Sequence, residues 1–306
     1  MGSPPSQPPR AIRRRAIRDS ILGQMAGGVM PTLMREGGVA SLLIISLTGE
    51  ESESLIGLAF LIMQWSMLVR LVAAPRVDVA WRRRFLVRWL SIAGVLALLL
   101  LAGPLLGLTD RPHAGVGVFL AVLAAYFVTL QIGVTAWFPL LSYIVPSQLR
   151  GRYFGNMRRA WQITSFGAVF ACGAVLGRDP GMWHFVAVLT PAALLQLTRV
   201  FVFTRLPDPP PSRDERPSLS WRAMLVPLHD RRFVGFVVFT LSVAMLQFAA
   251  VPFVVPFLRT QLGFPAAVTL YGSGCFGVGS VLSVVHWGRL ADRKGTRIVF
   301  LLSGLV

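Results

Sequence analysis

The side chains best suited to chemistry in this sequence are polar residues that interrupt long apolar runs. Arg35 and Glu36 fall near the middle of the first run, and Glu36 is the acid placed deepest within any of them. If these runs cross a membrane, an ionisable group inside one is costly and is a functional candidate by default. Glu36 is therefore predicted to bind a proton or to pair with a cation. A structural Arg35–Glu36 ion pair, or a run shifted so that both residues lie nearer the outer surface, is the alternative.

Glutamines recur in the same runs and would line a polar path between helices. Besides Arg35 and Glu36, the candidates for substrate contact or coupling are Gln24, Gln131 and Gln247. Gln64 and Gln162 share the pattern, and hydrogen bonds between helices explain some of these amides equally well. Arg70 and Arg199 fall near the ends of apolar runs, where long side chains reach the membrane surface, and are predicted to be anchors.

Other kinds of chemistry lack a supporting pattern. The four histidines are scattered without metal-ligand spacing, which argues against a membrane-embedded enzyme. Residues 272–277 match G-x-G-x-x-G, but they lie inside an apolar run, so helix packing explains them better than dinucleotide binding. Cys172 and Cys275 also lie in apolar runs and imply no disulfide framework. No cofactor and no metal is therefore predicted.

The composition indicates a membrane protein. Of the 306 residues, 54% are hydrophobic and 14% are charged, and the mean hydropathy is +0.64. Soluble domains carry about 25% charged residues, so this chain has too few charges to cover a water-facing surface. A polytopic all-α membrane protein is predicted, and a soluble enzyme, a disordered protein and a disulfide scaffold are excluded. The net charge of +17 then fits basic loops at a membrane face better than nucleic-acid binding.

Eight apolar runs are long enough to cross a bilayer, which takes about 20 residues. The runs, numbered as spans 1 to 8, are 21–47, 54–74, 85–108, 115–139, 160–177, 182–204, 233–258 and 264–287. A ninth run begins near Ile298 and continues to Val306, so the simplest interpretation is a fragment that lacks further spans. A natural eight-span protein is the alternative.

The basic residues alternate between the loops. Twenty-four of the 30 lysines and arginines lie on the membrane side that holds the N-terminus, whereas Arg111, Arg178 and Arg259 lie on the other side. Because cytoplasmic loops are enriched in such residues, the N-terminus is predicted to be cytoplasmic. A proline-rich, charged segment follows span 6 and is interpreted as a linker. The predicted organisation is a cytoplasmic tail at 1–20, a six-helix bundle at 21–204, a cytoplasmic linker at 205–232 and a partial second bundle at 233–306.

The two predicted bundles show an internal repeat in sequence. Asp19 precedes span 1, and Asp230 precedes span 7, 211 residues later. Asp78 follows span 2, and Asp292 follows span 8, 214 residues later. Repeated halves are typical of secondary transporters, whose substrate site lies at the interface between the repeats.

The most specific motif is GRLADRKGTR at residues 288–297, in the short loop after span 8. Gly288 would let two helices approach closely, and Gly295 would permit a tight turn. Asp292 would cap the next helix or pair with Arg293 or Arg297. An ordinary charged turn at the cytoplasmic surface is the alternative.

Two further loops on the same side carry related patterns. The loop after span 2 keeps an acid and basic residues but lacks both glycines; its residues are Asp78, Arg82 and Arg83. The loop before span 5 has the sequence RGRYFG, whose candidate residues are Arg150, Gly151, Arg152 and Gly155. Gly151 and Gly155 are four residues apart, share a helix face and are predicted to pack closely. Anchoring at the membrane surface is the alternative for the arginines.

GRLADRKGTR resembles the loop signature of the major facilitator superfamily, and RGRYFG is similar to a loop in a group of bacterial permeases of that type. The resemblance implies two helical bundles that rock about a central site, with these three loops as cytoplasmic gates. It implies a small-molecule substrate, protons as a candidate coupling ion, and the inner membrane as location. A monomer in the lipid bilayer is expected.

The family's proton-coupled drug exporters carry an arginine in span 4 and a Gly-Pro motif in span 5. Span 4 of this chain has no arginine, and span 5 has no proline, so the drug-exporter label is not supported. A non-transporting sensor or scaffold with the same fold is the main alternative to a transporter. A membrane-embedded enzyme is the weaker one.

Overall fold

The computed structural model describes residues 8–35, 38–48, 53–77, 82–101, 112–208, 226–295, 298–299 and 301–302. Within these ranges the side chains of 112–113, 147, 246–252, 284–285, 288–289 and 291–292 lie outside the description. Where the structure describes the chain, its regular elements are helices, and each of the eight predicted spans is covered in whole or in part by one. The chain is an all-α polytopic membrane protein, as its composition predicts.

The helices follow the predicted spans with shifted ends, and we number them α1 to α8 after those spans. They are α1 (Arg10–Arg35 and Val39–Thr48), α2 (Glu53–Trp65, Ser66–Leu68, Val69–Ala73 and Ala74–Arg76), α3 (Arg82–Leu99), α4 (Pro112–Thr135 and Trp137–Ile144), α5 (Arg150–Leu176), α6 (Met182–Phe203), α7 (Arg231–Pro256 and Phe257–Gln261) and α8 (Ala266–Lys294).

Helix α1 begins at Arg10, inside the segment predicted to be a tail. Arginine and alanine dominate its first turns and are strong helix formers, and Ala16 and Asp19 are already buried. The two segments of α1 are bent by 42°. Gly38, which precedes the second segment, has a φ of +68°, and a Cβ there would lie 2.7 Å from Val255 Cγ2 of α7. This position thus requires glycine for its backbone angle and for its closeness to α7.

Four helical stretches in the described residues are long and apolar enough to cross a membrane: Glu53–Arg76, Ala114–Ile144, Met182–Phe203 and Ala266–Ser283. The bent pair of segments in α1 raises this number to five. Helix α5 begins with several arginines, and α3 and α7 border or contain residues outside the description. Eight crossings therefore remain a prediction, although all eight predicted spans contain helix.

Glycines let α1 pack tightly inside the first bundle. A Cβ at Gly23 would lie 2.1 Å from the Phe203 ring of α6, and a Cβ at Gly28 would lie 1.8 Å from the Trp161 ring of α5. Small residues at such points bring helix backbones close together, which is how membrane helices gain packing energy. Helix α1 accordingly packs along α5 and α6, while α3 packs between α4 and α6.

The second bundle contacts the first through α7 and α8. Helix α7 packs against α2 and the second segment of α1, and α8 packs along α5. A Cβ at Gly274 or Gly277 would collide with the rings of Phe170 and Phe166 on α5, whereas Gly272 has no neighbour. The helix-packing interpretation of the 272–277 motif is therefore confirmed for two of its three glycines.

Candidate functional site

One face of α4 holds two arginines from neighbouring helices. The Nε of Arg70, on α2, donates a hydrogen bond of 2.7 Å to Oε1 of Gln131, and Nη2 of Arg70 donates to the same oxygen. The Cζ of Arg35, at the end of the first segment of α1, lies 5.7 Å from the centroid of the Phe127 ring. Phe127 and Gln131 are four residues apart and share a helix face. Both arginines therefore approach the same face of α4, and we call them the Arg35–Arg70 pair.

This pair places two guanidinium groups among apolar helices. Both arginines are half-buried, and Gln131 is buried. Arg70 is held by the amide oxygen of Gln131.

A third arginine, Arg199, is enclosed within the first bundle. Its side chain is 3% exposed, and its Nη2 donates a long hydrogen bond of 3.4 Å to Oε1 of Gln24. The Arg199 Cζ lies 5.2 Å from the centroid of the Phe203 ring. A Cβ at Gly27 would lie 1.9 Å from Cδ of Arg199, so this glycine forms the slot that admits the side chain.

The prediction that Arg70 and Arg199 anchor the chain at the membrane surface is wrong. Arg70 turns to Gln131, and Arg199 turns into the slot above Gly27. Sequence distance from the end of an apolar run does not reveal which face of the helix a side chain occupies. Snorkelling requires a face turned to lipid or water, whereas these two side chains face neighbouring helices.

Arg83 and Asp208 fasten α3 to the end of α6. Asp208 Oδ1 accepts a hydrogen bond of 2.8 Å from the Arg83 backbone N–H, and Asp208 Oδ2 lies 3.4 Å from Arg83 Nε. In return, Arg83 Nη1 donates to the backbone carbonyls of Leu206, at 2.9 Å, and Thr204, at 3.3 Å. A carboxylate thus caps the start of α3 while a guanidinium caps the end of α6. We call this arrangement the Arg83–Asp208 clamp.

A second set of contacts joins the two bundles at the end opposite the N-terminus. Arg259, at the end of α7, forms an ion pair of 2.5 Å with Asp179, in the turn between α5 and α6. The Ala267 backbone N–H, at the start of α8, donates to the Gly177 carbonyl at 2.8 Å. The α5–α8 contact then runs along both helices to Gln162, whose Nε2 donates to Ser280 Oγ at 3.1 Å. We call the Asp179–Arg259 and Gly177–Ala267 contacts the distal latch.

Comparison with known proteins agrees with this arrangement of two helical bundles. The family model of the Major Facilitator Superfamily matches residues 21–306. The chain belongs to the Major Facilitator Superfamily. The crystal structure of a D-xylose-proton symporter is similar over 92% of this chain and 69% of its own, with a TM-score of 0.60 and 15% sequence identity. No curated protein matches the chain.

Membership of this superfamily makes the chain a secondary transporter of small molecules and not an enzyme. It also makes the chain a multi-pass membrane protein, in agreement with its apolar helices. Because the sequence identity with the symporter is low, the similarity establishes the fold of this chain but not its solute.

The superfamily signature was predicted as a loop, but α8 continues through it to Lys294, and the segment lies only partly within the description. Gly295 has a φ of +84°, the left-handed region that favours glycine, as a tight turn requires. Arg293 is exposed. The surroundings of Gly288, the side chain of Asp292 and all of Arg297 fall outside the described part of the chain. The gating role of this segment stays a prediction.

In the loop after α2, which carries the related pattern, the structure describes the arginines but not the acid. Asp78 lies outside the described residues, while Arg82 Nη1 donates to the Pro139 carbonyl at 3.4 Å and Arg83 forms the clamp with Asp208. Sequence reasoning missed Asp208, although it is the first acid after α6 and is enclosed by prolines.

The RGRYFG segment differs from its prediction. The predicted close packing at Gly151 and Gly155 is wrong for the part of the chain that the structure describes, because a Cβ at either position would have no described neighbour within 4 Å. Arg150 and Arg152 are exposed, and Arg150 donates long hydrogen bonds to the backbone carbonyls of Ser142, at 3.3 Å, and Val145, at 3.4 Å, at the end of α4. At the start of α5 the helix turns these residues outward, so neither glycine contacts a partner helix among the described residues.

The residue of this segment that makes contact is Tyr153, which sequence reasoning did not single out. Its side chain is buried, and Tyr153 Oη shares a hydrogen bond of 2.7 Å with Ser20 Oγ of α1. Tyr153 precedes the apolar part of α5, which begins near residue 160. Burial raises the pKa of Tyr153 to about 12, while the Ser20 hydrogen bond acts in the opposite direction.

The remaining predicted polar residues are only partly placed. Glu36 lies outside the described residues. Gln247 is in the helical part of α7, with its side chain outside the description. Gln24 and Gln131 contact Arg199 and Arg70, so two of the predicted glutamines each bind an arginine that sequence reasoning had taken for a surface anchor.

Proposed function

We propose that this chain moves a small solute across the inner membrane by alternating access, with protons as the coupling ion. The observation that carries the proposal is the Arg35–Arg70 pair with Gln131. Its side chains come from α1, α2 and α4, and α7 of the second bundle packs against the neighbouring segments Val39–Thr48 of α1 and Glu53–Trp65 of α2. In transporters built from repeats, the solute site lies at such an interface between the two halves.

The contacts between the bundles suggest how access would alternate. The distal latch holds one end of the α5–α8 contact, and at the other end Gly151 and Gly155 have no neighbour within 4 Å. Opening the latch while the loops of residues 78–83, 150–155 and 288–297 come together would move access to the other side. With the N-terminus in the cytoplasm, as its charge bias predicts, the distal latch faces outward.

Glu36 is the proposed coupling group. It directly follows Arg35, one member of the site. A carboxyl group that gains and releases a proton beside a guanidinium changes the net charge of the site, which gives protonation a direct effect on solute binding.

Proteoliposomes loaded with a pH-sensitive dye test both parts of the proposal. The full-length protein is mixed with a panel of sugars, organic acids, phosphates and amines, and proton movement is recorded after each addition. We expect one solute class to evoke proton flux, and we expect Glu36→Gln to abolish it. Glu53→Gln, which removes an exposed acid at the start of α2, is the matched control and should retain flux.

Two results would contradict the proposal at different points. Unchanged flux in Glu36→Gln would remove Glu36 from coupling while leaving transport intact. An absence of solute-dependent flux and of solute counterflow, for every solute class, would instead favour a scaffold or sensor with the same fold.

A further inference from the structure

A groove of about 160 Å³ runs along α5 and α6, and α1 forms its floor. Val29 and Leu33 of α1 are 2% and 1% exposed at the bottom of the groove, whereas Val175 of α5 is 45% exposed at its rim. Apart from the thiol of Cys172, which behaves as a small hydrophobic group, the lining side chains are hydrocarbon. The groove is therefore apolar and open along one side.

Small side chains leave this space unfilled. Helix α5 contributes Ala168 and Ala171 to the walls of the groove, and α6 contributes Ala187 and Pro191. Protein interiors contain few voids of this size, because the atoms that line a void lose their dispersion contacts. Apolar cavities of similar volume stay free of water and accept hydrocarbon. The composition of the walls thus points to a hydrocarbon ligand.

The groove lies within the predicted membrane. Its α6 wall runs from Ala187 to Leu195, about 12 Å along a helix, and belongs to the stretch Met182–Phe203, which is apolar enough to cross a bilayer. Trp183, at the start of that stretch, is 72% exposed, and exposed tryptophans are typical of the boundary between hydrocarbon and head groups. The groove therefore begins about one helical turn below this boundary and continues toward the middle of the bilayer.

A free cation lies at the end of the groove nearest the membrane surface. Arg178 is in the turn that joins α5 to α6, three residues after Val175, and its side chain is exposed. It forms no ion pair with the part of the chain that the structure describes. The carboxylate of the next residue, Asp179, is already paired with Arg259. The positive charge of Arg178 is consequently available to a negatively charged head group.

We propose that this groove binds one acyl chain of an anionic phospholipid, whose phosphate is bound by Arg178. The apolar walls match the chain, and the guanidinium matches the phosphate, which arginine binds with short, paired hydrogen bonds. With the N-terminus in the cytoplasm, as the charge bias predicts, the lipid belongs to the outer leaflet.

Two other occupants fit the groove less well. A transmembrane helix from a second copy of the chain is about 10–12 Å wide with its side chains, and a groove of 160 Å³ is too small for it. A transported solute would pass between the two bundles, whereas all the lining residues belong to α1, α5 and α6 of the first bundle. The lipid site is therefore separate from the proposed transport function and stands or falls without it.

Native mass spectrometry of the purified protein in detergent tests the proposal. The probes are dioleoyl phosphatidylglycerol, dioleoyl phosphatidylcholine, which has the same chains and no net charge, and glycerol 3-phosphate, which has no chain. We expect one phosphatidylglycerol to remain bound more tightly than phosphatidylcholine. Glycerol 3-phosphate should not bind, because it lacks the chain that fills the groove.

Two variants separate the chain from the head group. Ala171→Phe covers the groove from its exposed rim and should weaken binding of both phospholipids, whereas Ala174→Phe, at an exposed position of α5 that does not line the groove, is the matched control. Arg178→Gln should weaken phosphatidylglycerol binding roughly tenfold or more, since a hydrogen bond between charged groups is lost, and should remove the preference over phosphatidylcholine. Arg14→Gln, at the opposite end of α1, should change neither.

Photo-crosslinking locates the bound chain without any substitution. A phosphatidylglycerol with a diazirine in one acyl chain is added to the protein at a low molar ratio and illuminated. We expect the adducts in peptides that contain residues 168–175 and 187–195, and we expect Ala171→Phe to remove them.

Several results would overturn the proposal. Adducts spread evenly over the apolar helices would mean that the groove holds only bulk lipid. Equal binding of the two phospholipids, or unchanged phosphatidylglycerol binding in Arg178→Gln, would refute the role of Arg178. A dimer that Ala171→Phe dissociates would show that a second copy of the chain fills the groove.

Discussion

The slot at Gly27 offers the sharpest test of how α1, α5 and α6 pack. Replacing Gly27 with alanine places a Cβ 1.9 Å from Cδ of Arg199, well below any tolerated contact. Arg199 is 3% exposed and has few ways to move aside, because Phe203 lies along its guanidinium and Gln24 receives its hydrogen bond. We therefore expect Gly27→Ala to force the two helices apart or Arg199 out of its rotamer.

Two opposing effects set the size of the change in the free energy of unfolding of Gly27→Ala. Overpacking a close contact costs typically 1–3 kcal/mol. Replacing glycine by alanine inside a helix recovers up to about 1 kcal/mol. Gly57→Ala is the matched control, because a Cβ at Gly57 of α2 has nothing within 4 Å and shows only the gain. The difference in unfolding free energy between the two variants should thus be about 1–3 kcal/mol.

Equilibrium unfolding in mixed detergent and SDS micelles, followed by tryptophan fluorescence, measures this difference. Arg199→Ala in the Gly27→Ala background provides a second check, since it empties the slot and should cancel most of the overpacking. We expect a coupling free energy of about 1 kcal/mol or more in the double-mutant cycle. If Gly27→Ala is as stable as Gly57→Ala, or the coupling is absent, the packing of Arg199 against Gly27 is wrong.

Three further changes test other contacts. Asp208→Asn should lower stability by about 1 kcal/mol or less, because the Arg83 and Asp208 side chains are 31% and 19% exposed, and 1 M salt should shrink this loss. The pKa of Tyr153 is about 12 in the folded protein, against 10.0 for an unperturbed tyrosine. Tyr153 should therefore contribute stability that is complete below pH 10 and is lost as the pH rises to about 12. An ultraviolet titration that shows Tyr153 ionising near pH 10 would contradict this. A short, reducible bis-thiosulfonate cross-linker should bridge the cysteines of the Asp179→Cys, Arg259→Cys variant across the distal latch and block transport until it is reduced. Undiminished transport in the cross-linked protein would argue against alternating access at that end.

Hydropathy and charge alternation were enough to predict the helices, because a membrane segment must satisfy its backbone internally and hide its charges whatever its neighbours are. The exact ends were less predictable. Helix α1 starts at Arg10 because arginine and alanine continue a helix outside the apolar run, and hydropathy does not register such residues.

The candidate site was harder to predict, because it depends on which faces meet. Gln131 and Gln24 were singled out as isolated polar residues, yet their importance comes from Arg70 and Arg199, which sequence distance placed at the surface. The i to i+4 relation of Phe127 and Gln131 was present in the sequence. It became informative only once α1 and α2 were seen to bring one arginine to each.

Arg70 and Arg199 differ in burial, although each binds a glutamine. Both are held by a glutamine, so neither is neutralised by a carboxylate among the described residues. Arg199 is nevertheless sealed between α1 and α6, where its charge is spread over an aromatic ring and a long hydrogen bond. Arg70 is only half-buried, and Gln131 Oε1 accepts hydrogen bonds from its Nε and Nη2. Arg70 is therefore the more accessible of the two cations, whereas Arg199 serves the packing of α1 against α6.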